Sequence, residues 1–392
     1  MKHLSTKTLR LIIFILFVIS PTLKLSSQNY SSFIDSLVSL VNQYSLMVNL
    51  KKFESLGVKS PGSVALTNTA NWIESYYKDL GYSIIQRDSF TYNGKKLCNL
   101  IIDKEGTETP NKYVYLTSHY DTKNGPGAND NGSGTVILME AARILKSIPI
   151  KTSLRFCHFS AEENGLIGST HYVNTIAVPQ RIDIKIVFNI DEVGGVKTEP
   201  NLYITCERDE SAPSANNAIS AAYTDSLMSL TETYTPLLAK TYMAYGSDYV
   251  PFQEAGYTIT GLYESNESPF VHTINDKIIN MDTNYLLNVA QVVMAGTAEW
   301  VKPFVITIGT DQIKDDPFRL WPTVTSDFIS INHTHLREPF KVAIFSSTGA
   351  LISQQETTGS ILIDMSRQAK GMFFVQITTG NGLVIMKRVI VI

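Results

Sequence analysis

Cysteine is scarce in this chain: Cys98, Cys157 and Cys206 are the three in 392 residues. An odd set leaves room for one disulfide at most, and no C-x-x-C or related spacing marks a cysteine metal site or a redox pair. All three suit buried strands, where a free thiol behaves as a small hydrophobe. An excess of charge of either sign is lacking too. The formal net charge is -3, which gives neither nucleic acid nor an anionic membrane an electrostatic hold. Beyond the N-terminal segment no run is long and apolar enough to span a bilayer. Internal repeats and low-complexity tracts are absent as well.

What is present suits a large folded core. Hydrophobic residues make up 44% and charged residues 18%, ordinary for globular chains. The length exceeds one typical domain and predicts two folded units plus a leader. Lys2, His3, Lys7 and Arg10 precede the uncharged run Leu11 to Ser20, which Pro21 breaks; small polar Ser26 and Ser27 follow. That order reads as an export signal, with cleavage near Ser27–Gln28. An uncleaved anchor or a buried helix is the alternative. The expected organisation is a signal peptide at 1–27, a first unit at 28–302, a linker at 303–317 and a second unit at 318–392.

The first unit alternates helices and strands. Trp72, Ile73, Tyr76 and Leu80 fall at helical spacing in Asn68–Leu80, which stops at Gly81. Strand-like runs follow at 82–85, 97–102, 113–117, 154–159 and 184–190. Helical patterns lie at 136–148, 166–173 and 282–300. Strands apolar on both faces and separated by helices predict an α/β fold, a sheet covered on both sides. In such folds the chemistry gathers at the carboxyl ends of the strands. After Trp300 the helical pattern gives way to short β-rich runs at 328–331, 340–345, 361–363, 373–378 and 384–392, which read as a small β-sandwich.

Polar clusters sit just after several of these strands. In His119-Tyr120-Asp121, residues two apart on extended chain share a side, so Asp121 is placed to orient His119 as a metal ligand; a surface pair is the plain alternative. The stretch 127–135, Gly-Ala-Asn-Asp-Asn-Gly-Ser-Gly-Thr, predicts an irregular loop before a helix. Asp130 there either presents its two oxygens to two metals or caps the helix. Glu162 and Glu163 follow the strand 154–159, where adjacent buried carboxylates are costly without a cation. On extended chain they would point to opposite sides, one binding metal and the other accepting a proton. Acids at a helix N-terminus would look similar. Asp191 ends the strand 184–190 as a ligand or a cap. His272 lies in a polar loop as a ligand or a structural histidine. Together, two histidines and three carboxylates supply nitrogen and oxygen donors for zinc or a similar ion. Three carboxylates against two zinc ions leave room for water acidified by the metals, with Glu162 placed to accept its proton. That is metal-assisted amide hydrolysis without a covalent intermediate.

These residues in this order resemble the M28 family of zinc peptidases, the co-catalytic aminopeptidase group. The resemblance runs from about Ser60 to Trp300. It rests on Ser60-Pro61-Gly62, His119-x-Asp121, Ala128-x-Asp130-Asn131-x-Ser133-Gly134, Ala161-Glu162-Glu163, Asn189-Ile190-Asp191, Gly246-Ser247-Asp248 and His272-Thr273-x-x-Asp276. It implies a mixed, mostly parallel sheet between helices and two zinc ions per chain. His119 and Asp191 would hold one, Glu163 and His272 the other, with Asp130 bridging and Glu162 as general base. Peptides would be the substrates. One departure stands out: the family's Ser-Asp-His is Ser247-Asp248-Tyr249 here. A tyrosine that stabilises the oxyanion often lies just upstream, and Tyr245 and Tyr242 are the candidates.

The tail from about Phe318 is similar to the C-terminal sorting domain of Bacteroidetes-type (type IX) secretion. Phe340–Gly349, Ile363-Asp364-Met365-Ser366, Lys370–Val375 and the basic-apolar end Lys387–Ile392 carry that likeness. Trp321-Pro322 stands where an N-P is usual. The resemblance implies recognition by secretion machinery and a product secreted or attached to the cell surface after passing the periplasm. A substrate-binding β-module or a folding spacer would read similarly. For the whole chain the expected function is release of N-terminal residues from peptides. A single-zinc glutaminyl cyclase and a non-catalytic surface binder are the alternatives.

Overall fold

A computed structural model describes residues 30–212, 214–244, 246–304, 318–333, 339–380 and 384–392. The signal segment, Tyr245 and all but the first two residues of the 303–317 linker lie outside that set. The chain divides into two compact units, split between Phe304 and Val305.

The first unit opens with three helices, α1 (Ser32–Val38), α2 (Gln43–Ser55) and α3 (Val64–Asp79). It continues through β1 (Ile84–Tyr92), β2 (Lys95–Lys104), β3 (Thr109–His119), α4 (Gly132–Leu145), β4 (Thr152–Phe159), α5 (Ile167–Tyr172) and β5 (Asp183–Ile190). Then come β6 (Tyr203–Arg208), α6 (Asn217–Tyr234), β7 (Leu238–Met243), α7 (Val250–Glu254), β8 (Ile259–Glu264) and α8 (Thr283–Val301). Local chemistry sets several of these boundaries. Ser63 caps α3 by accepting the N–H of Leu66 at 3.0 Å, so that helix starts earlier than its apolar spacing predicts. Asp282 caps α8 through the N–H groups of Asn284 and Tyr285.

Eight strands form one sheet in the order β1-β2-β4-β3-β5-β8-β6-β7. The central strands β4, β3, β5 and β8 pair in parallel. Antiparallel pairs join β1 to β2, β2 to β4 and β6 to β8. The mixed, mostly parallel sheet is therefore parallel at its centre, where burial on both faces calls for apolar strands. The pleat sends alternate residues to opposite faces. Val114, Leu116, Leu154, Phe156, Ile186 and Phe188 pack under α4, α6 and α8. Tyr115, Cys157, Phe159 and Val187 face Tyr172 of α5 and Phe252 of α7. The first expected strand, 82–85, is displaced: it is β1, starting at Ile84, and Tyr82 instead enters the core beneath α3 and donates its hydroxyl to Ala142 O.

The second unit is a β-sandwich. It comprises β9 (Phe318–Trp321), β10 (Val324–Thr325), β11 (Phe328–His333), β12 (Phe340–Ser346), β13 (Leu351–Thr357), β14 (Ile361–Asp364), β15 (Gly371–Thr379) and β16 (Val384–Val391). A five-stranded sheet, β10-β16-β15-β12-β13, faces a three-stranded one, β14-β11-β9. Phe318, Ile329 and Ile331 from the smaller sheet meet Phe340, Val342, Val375 and Val389 from the larger in a single core. Among the described residues no helix is long and apolar enough to cross a membrane.

Candidate metal centre

Two parallel strands deliver the first donors. His119 is the last residue of β3, and Asp191 follows the last residue of β5. Their side chains meet, with His119 Nε2 at 3.2 Å from Asp191 Oδ1. Asp191 is held from behind by a relay: Thr117 donates to Asn189 Oδ1 at 2.7 Å, Asn189 Nδ2 to Ser247 Oγ at 2.8 Å, and Ser247 Oγ to Asp191 Oδ2 at 2.6 Å. A chain of buried hydrogen bonds fixes the carboxylate rotamer.

The glycine loop before α4 places Asp130 between the two histidines. One of its oxygens lies 3.3 Å from His119 Nε2, the other 3.0 Å from His272 Nε2. Helix capping falls to Asn131, whose Oδ1 accepts the N–H of Gly134 at 2.8 Å while its Nδ2 reaches Ile190 O. Asp130 is thereby left to the cluster. A Cβ on Gly134 would stand 2.3 Å from Ile190 O, so only glycine lets α4 start against the end of β5. Asp276 carries the loop backbone, accepting the N–H groups of Asn129 at 2.8 Å and Asp130 at 3.0 Å. His272, four residues earlier in the same segment, adopts a left-handed backbone at φ 58°.

Glu162 and Glu163 are not on extended chain as the sequence predicts. Ala161 turns at φ 60° and the pair enters a 3-10 turn over Glu162–Asn164. Left-handed residues reverse chain direction, which the alternation of a strand does not anticipate. The two carboxylates still separate: Glu162 Oε2 lies 3.8 Å from His119 Nε2, and Glu163 Oε2 lies 2.8 Å from His272 Nε2. Asp121 holds this turn. Its carboxylate accepts the N–H groups of Glu162 at 3.1 Å and Glu163 at 3.3 Å. The hydrogen bond expected from Asp121 to His119 is different in kind, since Nδ1 lies 3.2 Å from the Asp121 main-chain carbonyl and 3.6 Å from the carboxylate.

The side chains of His119, Glu162 and Asp191 form one group able to surround an ion; Asp130, Glu163 and His272 form a second. Asp130, Asp191 and Glu192 form a third between them. The donors fit divalent cations on two counts. Glu163 Oε1 is buried without a hydrogen-bond partner, and massed buried carboxylates are costly without positive charge among them. The electrostatics agree. Burial and the neighbouring Asp191 raise Glu162 well above the usual carboxylate range, against the pull of His119. Burial and Asp130 push Glu163 up to about 8. Burial and the charge of Asp130 push Glu192 up to about 10. Burial opposes ionisation of Asp130, but hydrogen bonds from His119 and His272 outweigh it and hold that carboxyl low.

A cavity of about 390 Å³ opens over these groups, and Gly165, Leu166, Glu192, Glu207, Gly246, Ser247, Tyr249 and Tyr263 complete its lining. Sequence reasoning missed Glu192, Glu207 and Tyr263 as lining residues. The acid directly after Asp191 was the available signal for the first; nothing local marks the other two. Tyr242 lies in β7 and is more than half exposed, outside the cavity lining.

Residues 99–297 match the model of peptidase family M28, just over half of the chain. The chain belongs to peptidase family M28. Residues 319–392 match a secretion system C-terminal sorting domain, so the M28 unit carries an export address behind it. Among curated M28-like relatives, aminopeptidase YwaD of Bacillus subtilis is 37% identical over 196 residues, 48% of this chain and 41% of that protein. An aminopeptidase of Pseudomonas aeruginosa is 30% identical over 190 residues, 47% of this chain and 33% of that protein. The chain thus matches less than half the length of these relatives. Among solved structures, the LapA aminopeptidase of Legionella pneumophila is 22% identical at TM-score 0.61, covering 70% of this chain and 75% of that one. The glutaminyl cyclase of Macrostomum lignano is 20% identical at TM-score 0.62, covering 71% and 95%. At those identities both likenesses concern the fold.

Proposed function

We propose that this protein is an exported di-zinc peptidase that releases N-terminal residues from peptides. One observation carries the reading: Asp130 stands between His119 and His272, one oxygen toward each, with Asp191 beside the first histidine and Glu163 beside the second. His119 and Asp191 would hold one zinc, Glu163 and His272 the other, and Asp130 both. When bound, the zinc ions supply Lewis acidity toward the peptide carbonyl and lower the pKa of water toward neutrality.

The protein's own residues do the rest. Glu162 accepts the proton of the attacking water at its carboxylate and returns it to the departing amine nitrogen, so no covalent intermediate forms. Burial and Asp191 raise its proton affinity, against the pull of His119. Asp121 fixes the main chain of both glutamates, and the Thr117–Asn189–Ser247 relay fixes Asp191. Tyr245 is assigned to the oxyanion on family resemblance. The leader and the sorting domain together would route the chain across the periplasm to the cell surface or medium.

The deciding experiment uses the purified full chain with aminoacyl amides and N-blocked peptides, with and without chelator. Turnover should require a free N-terminus, vanish on chelation and return with zinc, at two zinc ions per chain. Cleavage of blocked peptides would remove the aminopeptidase reading. One zinc per chain with cyclisation of N-terminal glutamine would replace it with a cyclase.

A further inference from the structure

The cavity carries one acid beyond its metal-holding groups. Six of its lining residues are carboxylates: Asp130, Glu162, Glu163, Asp191, Glu192 and Glu207. Five of them belong to the groups able to surround an ion; Glu207 belongs to none. Glu207 is only 3% exposed, yet it lines the cavity. Burial pushes its carboxyl up to about 8, and a carboxyl buried at the wall of a binding cavity ionises more readily beside a positive partner.

Its position is built by the sheet. Thr117 of β3, Asn189 of β5, Gly261 of β8 and Glu207 of β6 are register partners in one line across four strands. His119 and Asp191 lie two residues further along β3 and just past β5, on the side that Thr117 and Asn189 share. Glu207 stands two strands from Asn189, roughly 10 Å at the usual strand spacing. Gly261 makes the room between them. A Cβ there would meet the Tyr249 ring at 2.8 Å and Glu207 Oε2 at 2.9 Å. Tyr249 also hydrogen-bonds the Glu207 carboxyl. Glycine at 261 therefore admits a tyrosine and a glutamate as one floor.

Leu166 and the tyrosine rings supply an apolar part of the wall, and Glu192, Glu207 and Ser247 a polar part. None of the described lining residues is lysine or arginine. We infer that this end of the cavity receives the side chain of the substrate's N-terminal residue and selects a long one ending in a positive charge, lysine or arginine, with Glu207 as its recognition group. Their long stems span the distance from the metal centre to β6, and their donors match a carboxylate. A leucine side chain would stop short of Glu207 and bring it no positive charge.

This specificity rests on the aminopeptidase reading, and the test separates the two. Initial rates are measured for lysine amide and norleucine amide, which share a stem and differ in the ammonium group, with arginine amide against citrulline amide as a second pair. The wild-type chain should favour lysine over norleucine by at least about tenfold in kcat/KM, and Glu207→Gln should lower that ratio by about tenfold or more. Glutamine keeps the shape of the floor and removes the charge. Norleucine ahead of lysine in the wild type, or a ratio unmoved by Glu207→Gln, overturns the inference alone. If Glu207→Gln does not fold, the wild-type ratios still decide. Turnover of none of the amides overturns the aminopeptidase reading and this inference with it.

Discussion

Asp121 holds Glu162 by its backbone rather than its side chain: Asp121 Oδ1 accepts the Glu162 N–H at 3.1 Å, and its other oxygen takes Glu163 at 3.3 Å. Both glutamates are thus aimed by one buried carboxylate. Asp121→Ala would leave two N–H groups without their acceptor and let the turn after Ala161 drift. We expect kcat to fall about 100-fold or more, since small displacements of aligned groups cost that much, together with weakened metal retention through Glu163. Asp121→Asn, which keeps one acceptor oxygen, should fall between. Steady-state rates and bound metal, measured on the same samples, check this; normal rates in Asp121→Ala would refute the positioning role.

Glu162→Gln should separate metal binding from proton transfer. The amide cannot accept a proton, so kcat should drop by about 10²–10⁴ while metal content stays at the wild-type level. A variant that turns over peptide at the parent rate would require another base.

Asp248, next to the Ser247 that holds Asp191, offers a pH-dependent stability test. Its carboxyl is fully buried, and burial, against the pull of His119, pushes it up to about 7. In the unfolded chain an aspartate ionises near pH 3.9. Between about pH 4 and 7 the folded form keeps a proton that the unfolded form has lost, so this group lowers stability as pH rises, and the penalty is constant above 7. Three pKa units correspond to about 4 kcal/mol. Asp248→Asn should therefore gain in Tm over the parent at pH 8 and show little gain at pH 4, in metal-free protein. An equal gain at both values would refute it.

Chelation should destabilise as well as inactivate. An ion held only by the folded state adds RT ln(1 + [L]/Kd), about 2.7 kcal/mol at a hundredfold excess over Kd. Thermal unfolding with and without chelator should show a Tm drop that zinc reverses. An unchanged Tm would mean that the clustered donors hold no ion tightly.

Much of the centre was legible because its donors stand where strands end. His119 and Asp191 terminate apolar runs, and Asp130 sits in a loop whose glycines announce irregular backbone. What was hidden depends on pairing across the sheet. Glu207 acquires its place only when β6 pairs with β8, and the value of Gly261 only from the Tyr249 and Glu207 side chains around it. The turn at Glu162 was hidden for another reason: the positive φ of Ala161 leaves no mark in composition. Helix α6 escaped because its buried face carries Ser220, Thr224 and Thr231, so its apolar period is weak. Helix α2 does carry a readable stripe at Leu46, Leu50 and Phe53, and helical spacing would have found it. In the second unit the alternation of β11, β12 and β15 was plain, while β13, exposed along nearly all its length, has no buried side to betray it.

The two histidines differ in one further respect. The His119 side chain is 2% exposed and that of His272 42%. Under the two-ion reading, an ion held by His119 and Asp191 would sit more enclosed than one held by Glu163 and His272. The halves would fill and empty on different clocks. Brief chelation should strip the His272 side first and leave a half-loaded protein. Timed metal release would then run in two phases, and the slow phase would belong to the ion held by His119 and Asp191.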